Sequence, residues 1–273
     1  MLRSVAILYH PARYRAVVEA EWLGVELARR GIGAALGNGW DPTVAAHLTR
    51  ERDLAVALGG DGTILHVARI AARSGTPVLG VNLGRVGFLA ELTPKTLHEC
   101  VDALAANEFW IEQRMMLDVE WQADGLEERF LSLNEVSVGR GGSARAVRVV
   151  TLLDGQEFVT FTADAVLVAT PTGSTAYSLA AGGAILYPEA TDLMITPVAP
   201  HLHIGRSIIV PGSTRVTLSL PSDRSAVMSV DGAVERTLKP QHSVHVRRSD
   251  IVARFARFSS CGYFYSAIRD RLK

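Results

Sequence analysis

From residue 4 to about residue 106, apolar positions alternate between two periods. Short continuous apolar runs at 5–9, 54–58 and 77–81 predict buried strands. Between them, Ala16, Ala20, Leu23 and Leu27 fall on one helical face, and Arg29, Arg30 and Gly31 close that helix. Asp41-Pro42 predicts a second helix, with aspartate as N-cap and proline at the first helical position. Ile64, Leu65, Ala68 and Ala71 keep helical spacing as far as Ser74-Gly75, and Thr93-Pro94 opens a helix through about Ala106. Strand and helix in alternation predict a mostly parallel sheet, an α/β Rossmann-like N-terminal domain over residues 1–110.

The pattern changes near residue 111. From 116 to 168 the segments are short, rich in Val, Leu, Thr and Phe, and punctuated by Asp124-Gly125, Asp154-Gly155 and a glycine-rich stretch at 139–143. Asp-Gly between apolar runs signals a hairpin. Runs at 216–220, 226–230 and 244–246 continue the β character. An antiparallel β-rich C-terminal domain over 111–254 follows. The tail, 255–273, is too short for a domain and is expected to pack back on the first.

Composition narrows the function classes. Lys+Arg and Asp+Glu balance at 28 each, so the net charge of zero calls for neither nucleic acid nor an anionic membrane. The double arginine at 247–248 reads as a solvated turn. No apolar run approaches the ~18 residues of a membrane span. Cys100 and Cys261 lack metal or redox spacing and read as two buried thiols in a reducing compartment. His201 and His203 have chelating spacing on a strand-like face, yet no Cys, Asp or Glu completes a set nearby. A soluble, cytoplasmic protein is expected.

The chemistry concentrates in residues 54–63, Leu-Ala-Val-Ala-Leu-Gly-Gly-Asp-Gly-Thr. A buried strand runs into a glycine turn with Asp61 at its tip, at the strand end where α/β sheets bind ligands. Gly59, Gly60 and Gly62 permit close backbone approach to a phosphate, and Thr63 lies at a helix N-terminus that attracts anions. One carboxylate in such a cradle suits phosphoryl transfer, as base or metal partner. Taken alone, the fragment is equally a plain turn.

Three further segments join it. Residues 80–91 carry Gly-Val-Asn-Leu-Gly-Arg-Val-Gly-Phe-Leu-Ala-Glu; Asn134-Glu135 sits inside the apolar run 133–138; and 170–178 reads Thr-Pro-Thr-Gly-Ser-Thr-Ala-Tyr-Ser. Together they resemble the NAD kinase family, from about residue 54 to residue 211, with 111–117 also fitting. Gly-Gly-Asp-Gly-Thr by itself is shared with diacylglycerol and sphingosine kinases; the added segments are specific to NAD kinases.

The resemblance implies an ATP or polyphosphate donor, a divalent cation such as Mg²⁺, and transfer to the adenosine-ribose 2′-hydroxyl of NAD, giving NADP. It makes Asp61 the base, with Gly62 beside the dinucleotide and Gly59, Gly60, Gly62 and Thr63 as the donor-phosphate loop. Asn134, Glu135, Asp164, Thr175, Ala176, Tyr177, Ser178 and Ala180 become NAD contacts, with His66 as a phosphate partner; Arg145 reads equally as a phosphate partner or as a solvated loop arginine. At His66 the family commonly has a basic residue, so that contact depends on protonation. Thr162 and Ala233 depart from the family pattern in the same way, where a basic residue and a glutamine are common. A homodimer or homotetramer is implied. A lipid kinase of the wider superfamily and a non-catalytic dinucleotide sensor are the alternatives; no basic amphipathic helix supports the first.

Overall fold

The structure, a computed structural model, describes residues 2–84, 87–142, 145–201, 205–221, 224–260 and 262–271. His203 and Cys261 lie outside the described residues. The chain divides into two units, Met1–Gln113 with Ile251–Lys273, and Arg114–Asp250.

In chain order the first unit begins β1 (Ser4–Tyr9), α1 (Tyr14–Arg29), β2 (Gly33–Asn38), α2 (Pro42–Thr49), β3 (Leu54–Gly59), α3 (Asp61–Ala71), β4 (Val78–Asn82), α4 (Pro94–Glu99) and α5 (Val101–Ala105). Strands β2, β1, β3 and β4 pair in that order, all parallel. Every residue of β3 and β4 is buried, as parallel strands covered on both faces require. Ala16, Ala20, Leu23 and Leu27 of α1 pack with Val5, Ile7, Val56 and Leu58 in one core. Truncating a fully buried leucine such as Leu23 to alanine would cost about 2–5 kcal/mol. Asp41 caps α2 by accepting from the Thr43 and Val44 N–H groups, as expected. The single helix expected after Thr93-Pro94 is broken instead: Thr93 and Thr96 form a capping box, and non-helical Cys100 (φ −109°, ψ 10°) separates α4 from α5. Cys100 is half-buried rather than fully buried.

The chain enters the second unit within β5 (Trp110–Ala123). There follow β6 (Leu126–Ser132), β7 (Glu135–Gly139), β8 (Val147–Leu153), β9 (Gln156–Ala163), β10 (Ala165–Ala169), α6 (Tyr177–Ala180), β11 (Leu193–Val198), β12 (Ile208–Val210), β13 (Val216–Ser219), β14 (Ala226–Val230) and β15 (Val234–Leu238). β16 (Ser243–Arg257) returns the chain to the first unit, and α7 (Tyr263–Arg271) follows. Within the second unit, one six-stranded antiparallel sheet runs β12-β11-β10-β7-β14-β15. The others pair as β16-β13-β8-β9 and β5-β6, also antiparallel. Alternate apolar residues such as Val136, Val138, Val166, Val168 and Met228 join Val149, Phe161, Val216 and Val244 in a single core.

Three Asp-Gly pairs close hairpins, with both residues left-handed: Asp124-Gly125 (φ 50° and 81°), Asp154-Gly155 (51° and 81°) and Asp231-Gly232 (50° and 64°). Those are the conformations a tight hairpin demands and Asp-Gly tolerates. The expected turn at Arg247-Arg248 is instead the interior of β16, with both side chains exposed and Arg247 paired to Asp118 at 3.2 Å. Its long strand pairs with β13 and then, at Phe255, with β4. Among the described residues, no helix is long and apolar enough to cross a membrane.

Candidate functional site

In the first unit, β3 delivers the chain to Gly60, the N-cap of α3, and Asp61 is the first helical residue. The helix therefore starts two residues before Thr63. A carboxylate here meets the positive end of the helix dipole and its unpaired N–H groups. Asp61 Oδ2 accepts the Phe88 N–H at 2.9 Å. The loop after β4 sits so close that a Cβ on Gly87 would lie 1.7 Å from the Asp61 carboxyl atoms. Gly87 thus lets the backbone of this loop meet that carboxylate.

The glycines of the turn differ in what they do. A Cβ on Gly59 would strike Thr63 Oγ1 at 2.4 Å, so Gly59 serves packing between strand and helix. Gly62 faces open space, and a Cβ on Gly60 would lie 3.9 Å from the Arg13 guanidinium. Thr63 is buried and its hydroxyl accepts from Trp40 Nε1 at 3.2 Å. His66 stacks on the same Trp40, with ring centroids 5.3 Å apart and planes 12° from parallel. Burial, then the nearby Arg69 charge, lowers the His66 pKa below the ordinary histidine value. Both effects favour the uncharged imidazole. Arg13 and Trp40 carried no signal: each is a lone residue outside any motif.

In the second unit the Asn134-Glu135 pair lies at the start of β7 rather than inside a strand. Glu135 opens β7 and Asn134 precedes it. The reason is Asp231. Its carboxylate accepts the backbone N–H groups of Leu133, Asn134 and Glu135 at 2.9–3.1 Å, and the Ser132 hydroxyl at 2.6 Å. Donors that would serve a ladder turn to one carboxylate, and the strand breaks. Thr170 secures the other side: its N–H reaches Asn134 O at 2.9 Å and its hydroxyl reaches Leu133 O at 2.6 Å. Gly173 allows this fit, since a Cβ there would lie 2.1 Å from Asn134 O.

Glu135 is buried, and among the described residues its Oε2 has no hydrogen-bond partner. Burial first, and the Asp231 charge second, push its pKa up to about 8. At neutral pH this side chain carries a proton and can donate to a ligand oxygen.

A pocket of about 260 Å³ in the same unit is lined by Arg140, Asp164, Tyr177, Val227 and Ser229, among others. Asp164 pairs with Arg140 at 3.4 Å, and Arg140 N–H donates to Asp164 O at 3.0 Å. Tyr177, one of these lining residues, is 45% exposed. Thr175 and Ala176 lead into Tyr177, and Ala180 ends the same short helix with an exposed side chain. Ser178 differs. It is fully buried, and its hydroxyl bonds Thr196 at 2.8 Å. Arg145 is exposed on the loop before β8. Neither Arg140 nor Asp231 was singled out in the sequence: the first follows an apolar run without a motif, and the second stands before a glycine at the end of the run 226–230.

Among the described residues, no cluster of three or more His, Cys, Asp or Glu side chains could hold a metal ion.

Comparison with known proteins bears on the whole chain. Residues 13–109 match the ATP-NAD kinase N-terminal domain and residues 133–258 the ATP-NAD kinase C-terminal domain. An NAD kinase of Dehalococcoides mccartyi is 34% identical over 275 residues, covering 100% of this chain and 97% of that protein. One from Heliobacterium modesticaldum is 38% identical over 260 residues, covering 93% and 91%. Among solved structures, yeast NADH kinase complexed with NADH superposes with a TM-score of 0.90 at 24% identity, over 99% of this chain and 87% of that one. An NAD kinase from Archaeoglobus fulgidus in complex with ATP gives 0.80 at 23% identity, over 97% of each chain. At those identities the two structures speak to the fold.

Proposed function

This chain belongs to the NAD kinase family, and from that premise we propose how its residues divide the work of phosphorylating NAD. The observation that carries the reading is Asp61, held at the head of α3 with its carboxylate bonded to the Phe88 N–H. Asp61 takes the proton of the adenosine-ribose 2′-hydroxyl as that oxygen attacks the terminal phosphate of ATP. The hydroxyl oxygen forms the new P–O bond, the bond to the leaving nucleoside diphosphate breaks, and the proton rests on Asp61 Oδ. Chemistry of this class needs little more than alignment and charge stabilisation.

The dinucleotide contacts come from the second unit. Tyr177 offers a ring face to adenine, Asp164 accepts from ribose or adenine groups, and Asn134 and protonated Glu135 meet further polar atoms of NAD. Thr175, Ala176 and Ala180 flank the aromatic contact, while Ser178 supports them from below through Thr196. Gly60 and Gly62 leave the backbone N–H groups at the start of α3 open to donor phosphate. A divalent cation, Mg²⁺ in this reading, would meet Asp61 and neutralise charge on the donor phosphates when bound. Cytoplasmic location and a homodimeric or homotetrameric state, as the sequence resemblance implies, complete the reading.

One assay tests it. Purified protein is incubated with Mg-ATP and NAD, and NADP is read with an NADP-specific dehydrogenase. NADP formation is expected; a parallel reaction with polyphosphate separates the two donors. No NADP under varied donor and metal conditions would overturn the assignment.

A further inference from the structure

The first unit contains a buried charge cluster that the reaction does not use. Arg257, at the end of β16, is 0% exposed. Its Nε donates to Glu112 Oε2 at 2.8 Å, and its Nη1 donates to Glu91 Oε2 and to the Leu89 carbonyl, each at 3.2 Å. Glu91 also accepts the Phe258 and Ser259 N–H groups at 3.0 and 2.7 Å. Tyr263, the first residue of α7, donates its hydroxyl to Glu112 at 2.8 Å and lays its ring 4.8 Å from the Arg257 guanidinium.

Leu89 and Glu91 belong to the loop that reaches Asp61. One residue before Leu89, Phe88 donates its N–H to the Asp61 carboxylate, and its ring lies 6.2 Å from that of buried Phe264, also in α7. Both ends of this segment are therefore fastened to the C-terminal part of the chain. A buried Arg–carboxylate cluster gains little net stability over well-packed apolar side chains, because desolvation offsets its attraction. What it does supply is direction: a guanidinium fork fixes the planes of the groups it binds.

Resting on Asp61 as the group that takes the hydroxyl proton, we propose that α7 and Arg257 are positioning elements for Asp61. They act through the Gly87–Phe88 loop. Phe264 holds the Phe88 ring, and Arg257 holds Leu89 and Glu91, so that the Phe88 N–H and the Gly87 backbone keep the carboxylate in one orientation. The tail of the chain thereby sets turnover and not NAD affinity.

The test is a double-mutant cycle on the full chain, with Phe264→Ala made alone and in the Asp61→Asn protein, and folding checked by thermal melting. Phe264→Ala should lower kcat about ten-fold, since small misplacement of a reacting group is costly, and leave KM for NAD within about two-fold. Phe264→Leu, which keeps an apolar contact, should recover most of the loss. In the Asp61→Asn protein, Phe264→Ala should change the residual kcat by less than about two-fold, because residues acting through one group do not add. If Phe264→Ala fails to fold, Tyr263→Phe removes the hydroxyl bond to Glu112, keeps the ring, and runs the same cycle, with about a three-fold loss expected. Unchanged kcat in a folded variant, or an equal loss in both backgrounds, overturns the positioning role while the reading of Asp61 stands. Near-normal turnover in Asp61→Asn alone removes that reading, and the proposal with it.

Discussion

Asp231 and Glu135 hold each other reciprocally: the Glu135 N–H donates to Asp231 Oδ1 at 3.1 Å, and the Asp231 N–H donates to the Glu135 carbonyl at 3.0 Å. The same carboxylate gathers Ser132, Leu133 and Asn134. A hairpin turn on one strand therefore shapes the polar pair on its neighbour. Asp231→Ala strands several buried N–H groups at about 1–3 kcal/mol each and should lower stability by ~3–5 kcal/mol. Asp231→Asn tolerates the left-handed backbone and keeps one acceptor oxygen, so it should cost about half as much. Urea unfolding of the two variants checks this; equal stability to wild type in both would refute the role of Asp231.

Glu135 should make stability fall as pH rises. Its pKa is raised from 4.5 to about 8 in the folded protein, by burial and then by Asp231. Between those values the folded state keeps a proton that the unfolded chain has released, so stability is highest below pH 4.5 and declines through pH 8. The loss amounts to several kcal/mol at about 1.4 kcal/mol per pH unit. Glu135→Gln removes the ionisation, and its melting temperature should exceed that of wild type at pH 8.5 and match it near pH 4.5. Parallel melting curves at both pH values would contradict the raised pKa.

Asp61→Asn keeps size and shape while removing the charge and the capacity to take a proton. If Asp61 is the base, kcat should fall by about 10²–10⁴-fold with KM for NAD little changed. As a helix-terminal residue alone, asparagine would serve nearly as well. Steady-state kinetics on a variant with wild-type circular dichroism separates the two.

Gly87→Ala places a methyl group where the Asp61 carboxylate now lies, at 1.7 Å. The loop or the carboxylate must shift, and kcat should drop at least about ten-fold while KM for NAD stays near wild type. Gly62→Ala, whose Cβ meets nothing within 4 Å, serves as the steric control for folding. A Gly87→Ala protein with full turnover would show that the loop does not orient Asp61.

Tyr177→Ala should act on binding. Stacking on adenine is formed before transfer, so its loss raises KM and spares kcat, at about 1–3 kcal/mol by analogy with base stacking. A collapsed kcat with unchanged KM would assign Tyr177 elsewhere.

Local rules account for what was legible. The parallel strands 5–9, 54–58 and 77–81 announced themselves because strands covered on both faces must be continuously apolar. Asp41-Pro42 and the Asp-Gly pairs announced a helix start and hairpins because single residues there satisfy backbone geometry. Asp61 and the motifs around it were legible for a related reason: close backbone approach leaves only glycine available, so the requirement is written in consecutive residues.

Tertiary packing decided the rest. Gly33–Asn38 has little strand character of its own, yet forms β2 because β1 presents a parallel edge to pair with. Asn134 leaves the strand because Asp231, 97 positions away, takes its N–H. Arg257 is buried because Glu91 and Glu112 meet it from 166 and 145 positions away, although an isolated arginine there would be expected in water. Periodicity and turn chemistry act between near neighbours, so the sequence by itself determines them. Desolvation, orphaned donors and charge pairing depend on which distant groups arrive together, and only the folded chain decides that.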